Sequence, residues 1–131
     1  MKKAVLILVC LTIALILAVG GVFAQAQNGI VGNWSGYTYV GGGSRVDFVL
    51  TVGQGEEGLT GKITDETGMI PEMVCRNVAF EENKLTFDID FPDGMEIVLI
   101  KISLTLDGDV LKGFWMDPDG SSDIIDLARK K

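Results

Sequence analysis

The chain has 131 residues, 17 of them glycine, with no histidine, two cysteines, and 18 acidic against 11 basic side chains. Without histidine there is no Ser-His-acid or Cys-His nucleophile and no imidazole ligand for zinc. A formal net charge of −7 repels phosphate backbones and anionic headgroups, which argues against nucleic acid as a partner.

The first predicted element is an export signal over residues 1–24. Lys2 and Lys3 form its positive start, residues 4–19 its apolar run, and Gly20-Gly21 a helix break before Val22-Phe23-Ala24 at the cut. A second frame, Ala24-Gln25-Ala26, cuts two residues later. Cleavage predicts an exported product, periplasmic or extracellular, with no membrane contact thereafter. The alternative is a retained anchor, because roughly 20 apolar residues can span a bilayer. Cys10 follows Val9 inside the apolar run and is poorly placed for lipid attachment. Loss of the leader leaves nine basic against 18 acidic residues, a net charge of −9. It also leaves Cys75 alone, so no internal disulfide can form. A lone thiol is then either buried as a small apolar side chain, the expected outcome, or paired with another chain.

Residues 25–131 are long enough for one domain with a single core and no staples. Alternating apolar and polar positions predict strands over 33–40, 44–52, 58–65, 72–80, 84–91, 95–106, 110–117 and 122–128. The clearest is 84–91, where Leu85, Phe87, Ile89 and Phe91 point one way and Lys84, Thr86, Asp88 and Asp90 the other. Pro71 and mixed parity blur 72–80. In 95–106, Val98, Ile100, Ile102, Leu104 and Leu106 share one face, while Met95, Ile97 and Leu99 make the start of the other face apolar as well.

Between the strands stand Gly41-Gly42-Gly43, Gly53-Gln54-Gly55, Glu82-Asn83, Pro92-Asp93-Gly94, Asp107-Gly108 and Pro118-Asp119-Gly120, all tight-turn chemistry. Such short loops predict an all-β antiparallel up-and-down meander of eight strands. Closure into a small barrel is preferred to a two-sheet β-sandwich because it leaves no exposed edge. Leu59-Thr60-Gly61-Lys62-Ile63 and Leu111-Lys112-Gly113-Phe114-Trp115 both place a glycine inside a strand, which lets a neighbouring backbone approach, as at a barrel corner.

Gly32-Asn33-Trp34 at the first strand and Arg129 at the end of the last form a pattern that resembles the lipocalin and wider calycin barrels. The resemblance implies that Trp34 plugs one end and that Arg129 lies across its ring, closing first strand to last. An Arg over an indole face gains a cation–π contact. The chain departs from lipocalins in being shorter, in lacking their disulfide and in showing none of their mid-chain motifs.

Other constellations carry little chemistry. Ser103 and Lys101 would share an exposed strand face. Asp88 and Asp90 lie about 7 Å apart on an outward face, near glycosidase spacing but without a sugar-sized cleft. Asp117, Asp119, Ser121 and Asp123 alternate as in a calcium loop, yet glycine falls at the fourth position and Ala128 at the twelfth. The motif reads as a hairpin turn. Asn33-Trp34-Ser35 fits a glycosylation sequon, but its Trp is an expected core residue. No enzyme activity, cofactor or metal site is expected.

Two functional expectations remain. In the first, the barrel carries a small apolar ligand lined by Phe48, Phe87, Phe91 and Trp115, with Trp34 and Arg129 closing one end. In the second, it is a protein-interaction module acting through Met95, Ile97 and Leu99. Here it resembles small periplasmic barrels that inhibit secreted metalloproteases, sharing the Gly-x-Trp start and the basic end Arg129-Lys130-Lys131. That family inserts an N-terminal segment and carries a disulfide. Residues 25–30 are short for such an arm and the disulfide is missing, which favours the carrier.

Overall fold

Strict alternation in this chain becomes one closed antiparallel sheet. The structure, a computed structural model, describes residues 29–68 and 70–130. The expected export signal, Cys10 and both cleavage frames lie outside the described residues. The chain divides into two compact units, Met1–Ile30 and Val31–Lys131; of the first, Gly29 and Ile30 are described.

The second unit consists of β1 (Gly32–Val40), β2 (Ser44–Gly55), β3 (Gly58–Thr64), β4 (Met73–Glu81), β5 (Lys84–Asp93), β6 (Glu96–Asp107), β7 (Val110–Met116) and β8 (Ser122–Arg129). Each strand pairs with the next, and β8 returns to β1, so the sheet is a closed eight-stranded meander and not a sandwich. The closing ladder pairs Trp34 with Arg129 and Thr38 with Ile125. Closure removes both sheet edges, the part of a β-protein most exposed to unwanted pairing.

The boundaries differ from the alternation pattern at two informative places. Met95 falls in the turn between β5 and β6, and β6 begins at Glu96. Gly94 there has φ +65°, which swings the chain out of extended geometry before pairing resumes. In β4 the register shifts between Arg76 and Ala79. Asn77, with φ +54°, is the extra residue of a bulge, and its side-chain amide donates to Asp88 Oδ2 at 2.9 Å. The bulge flips the parity of the strand, so Met73 and Cys75 face inward before it and the inward set changes phase after it. This is why β4 reads as irregular in sequence.

The interior is unevenly filled. Trp34, Leu50, Leu85, Leu104, Leu111 and Leu127 are all below 2 % exposed and pair across strands as Trp34–Leu50, Leu85–Leu104 and Leu111–Leu127. These large side chains make a solid plug in the half of the barrel that holds the β2–β3, β4–β5 and β6–β7 turns. The other half, ringed by the β1–β2, β5–β6 and β7–β8 turns, is open.

Candidate functional site

Above the plug the inward side chains no longer meet across the barrel. A cavity of about 710 Å³ remains, walled by residues that include Phe48, Ile63, Met73, Ile89, Ile100 and Ile125, and rimmed by Gly41, Gly42, Gly43, Asp93 and the β7–β8 turn. The inward residues here are mostly aliphatic, and their side chains do not fill the width of an eight-stranded barrel. The volume falls within the range of small-molecule sites.

Of the four aromatic residues expected inside, Phe48, Phe91 and Trp115 border this cavity. Phe87 is buried at 3 % exposure and is not part of the wall; it belongs one step further down β5, in the plug. Trp115 is held by hydrogen bonding. Its Nε1–H donates to Thr38 Oγ1 at 2.9 Å and to the Tyr39 carbonyl at 3.2 Å, and the Thr38 hydroxyl donates to the Ile124 carbonyl at 2.7 Å. The indole of β7 thereby reaches across β8 to β1, its polar edge satisfied and its ring part of the wall. Thr38 is a buried polar residue that sequence reasoning missed. Its position two and four residues beyond Gly36 and Trp34 gave the inward parity, but a threonine carries no hydrophobic signal.

At the other end, the Arg129 guanidinium sits 4.3 Å from the centroid of the Trp34 ring, on a Trp that is fully buried. Its Nη1 donates to the Val31 carbonyl and its Nε to Asp109 Oδ1, each at 3.2 Å. The expected trio on the outer wall is exposed, at 105 % for Met95, 72 % for Ile97 and 37 % for Leu99. Phe114, Met116 and Ile124 add to this outer apolar surface. Phe114 and Ile124 face one another across β7 and β8. Their signal in sequence was that β7 is apolar on both parities.

Two of the weaker constellations have structural partners. Asp90 pairs with Arg76 at 2.7 Å. Asp117 Oδ1 accepts the backbone N–H groups of Asp119 and Ser121, at 3.0 and 2.9 Å, and so builds the hairpin turn. Among the described residues no three His, Cys, Asp or Glu side chains are grouped to hold a metal ion.

Cys75 is buried opposite Gly61, and burial pushes its thiol up to about 12. The thiolate is therefore suppressed in the folded state. Because the folded value lies above the unfolded one, the protein loses stability as pH rises from about 9 towards 12, at up to roughly 1.4 kcal/mol per pH unit. Native protein at pH 8 is expected to resist a thiol reagent that labels it fully in denaturant. Cys75→Val should flatten the alkaline fall in urea midpoint; rapid labelling of the native protein would contradict the burial.

No protein-family model matches the chain, and no curated protein or solved structure does so either.

Proposed function

We propose that this protein is an exported, lipocalin-like carrier whose barrel holds a small apolar ligand and performs no catalysis. The observation that carries this reading is the cavity of about 710 Å³ bordered by Phe48, Phe91 and Trp115. Space of this size lined by aliphatic and aromatic side chains costs the protein packing energy that a filled core would have kept. An apolar guest recovers those contacts. The solid plug under the cavity, with Arg129 over Trp34 at its far side, supplies a rigid floor for such a cup.

Trp115 provides the readout. It borders the cavity, whereas the other indole, Trp34, is fully buried in the plug. Filling the cup with a hydrophobic fluorescent probe such as N-phenylnaphthylamine is expected to shift or quench Trp115 emission, and Trp115→Phe should abolish the change. Val98→Phe combined with Val46→Phe narrows the cavity and is expected to weaken binding by about tenfold or more, a loss of about 1.4 kcal/mol. Native mass spectrometry of protein taken from its host would reveal a retained small molecule. A bare protein that binds no apolar probe would defeat the carrier reading.

A second reading, an interaction module of the kind represented by the metalloprotease-inhibiting barrels, draws on the exposure of Met95, Ile97 and Leu99. Contiguous exposed apolar side chains are typical of interaction surfaces. Replacing all three by serine should abolish partner capture and leave the melting temperature unchanged if that surface is the interface.

A further inference from the structure

Resting on the carrier reading, we infer that the cup selects a cationic amphiphile, a ligand with an apolar body and one positively charged head, such as an alkyl or aryl ammonium. The cavity itself is the site, and the residues along its wall and rim decide what enters. Inside, the polar groups are already used. The Thr38 hydroxyl donates to the Ile124 carbonyl and accepts from Trp115 Nε1, which also reaches the Tyr39 carbonyl. The rest of the deep wall is aliphatic or aromatic, so the buried part of a guest must be apolar or lose its hydrogen bonds.

The mouth has the opposite character and a single sign. Asp93 from the end of β5, Asp117 and Asp119 from the β7–β8 turn, and Asp123 from the start of β8 all border the cavity. No Lys or Arg among the described residues does. Elsewhere on the barrel, Asp47, Glu66, Glu72, Asp90, Asp109 and Asp126 each pair with a Lys or Arg, while Glu56, Glu57 and Glu82 at the far-end turns make no ion pair among the described residues and do not border the cavity. The four rim carboxylates make no ion pair among the described residues. Arg45, close to the β1–β2 turn, is held on the outer wall, 3.1 Å from Asp47 and 4.1 Å over the Tyr37 ring.

Like charges around a concave, low-dielectric opening reinforce one another and concentrate counter-ions there. A guest whose apolar tail fills the cup leaves its head at this rim. A positive head stays partly hydrated, gains the summed attraction of the carboxylates and can lie against the Trp115 or Phe91 ring. A carboxylate or sulfonate head in the same place meets repulsion with no base to receive it. Fatty-acid-like anions are thereby rejected by the same geometry that admits ammonium ions.

The test uses the full chain with three probes of equal tail, octyltrimethylammonium, 1-octanol and 1-octanesulfonate, titrated below micelle formation and followed by Trp115 emission and calorimetry. The ammonium is expected to bind about tenfold more tightly than the alcohol, and the sulfonate more weakly than either, with the preference shrinking as salt is added. Asp93→Asn/Asp119→Asn/Asp123→Asn should bring the three probes to within about threefold of each other. A variant with the same change in net charge at the far end, Glu56→Gln/Glu57→Gln/Glu82→Gln, should keep the preference. Equal binding of all three probes, or an equal loss of preference in both variants, overturns the charge selection and leaves the carrier standing. Failure of all three probes to bind overturns the carrier reading and this inference with it.

Discussion

Gly113→Ala is expected to destabilise the barrel by about 3 kcal/mol or more, and Gly36→Ala by a similar amount. Gly113 lies between Leu104 on β6 and Ile125 on β8, and a Cβ there would collide with the Ser103 carbonyl. At Gly36 the obstacle is the Asp126 carbonyl on β8. In both cases the clash is with backbone of a paired strand, so no rotamer change relieves it. The neighbouring strand must move and loosen its ladder, and the barrel opens at a corner. For a domain whose whole stability is about 5–15 kcal/mol, this should lower the melting temperature by more than about 10 °C. Gly53→Ala is the control, because a Cβ there meets the Thr60 Oγ1 at 3.0 Å, a side-chain atom that can rotate away. Urea and thermal unfolding of the three variants decide the matter. A Gly113→Ala protein that melts with the wild type would show that the approach of β6 is not structural.

Trp34→Ala should cost about 4 kcal/mol, since it removes the largest fully buried side chain from the plug and leaves a void beside Leu50. Arg129→Ala is expected to cost less, about 1–2 kcal/mol, through the lost contact with the indole and the bond to the Val31 carbonyl. Its ion pair with exposed Asp109 adds little, because solvent screens it. In a double-mutant cycle, Trp34 and Arg129 should couple by about 1 kcal/mol. Independent effects, measured by urea unfolding, would mean that the stacked geometry contributes nothing beyond burial. Because Trp34 sits far from the cavity rim, Arg129→Ala should leave probe binding in the cup unchanged.

Much of this architecture was legible along the chain. Alternation of period two located all eight strands, with most ends within two residues, since each inward face had to be apolar to be buried. Most of the Gly, Asp and Asn turns gave antiparallel order because short loops allow little else. Gly53-Gln54-Gly55, however, expected as a turn, stays in the β2 ladder and the chain reverses at Glu56 and Glu57, while residues 65–72 make a longer connection from β3 to β4. The glycine inside the Leu-x-Gly pattern was readable as a corner at Gly113, where β6 backbone does approach. The β4 bulge was visible only as blurred parity, because Asn77 breaks the period without breaking the strand. For the site, alternation identified inward aromatics but could not rank them by depth. Phe87 and Phe91 occupy the same face of β5, yet one is in the plug and the other at the cavity.

By itself, then, the order of residues determined strand number, the buried face of every strand except β4, the antiparallel meander and the absence of histidine chemistry, for these are local or compositional properties. Tertiary structure alone decided closure, in which Trp34 meets Arg129, and the depth at which packing stops. It also decided that Asp93 gathers at one rim with Asp117 and Asp123. The physical reason is that the radius and stagger of a barrel are set by all eight strands together. Whether its interior is full depends on the summed volume of side chains contributed by every strand, a quantity no single stretch of sequence contains.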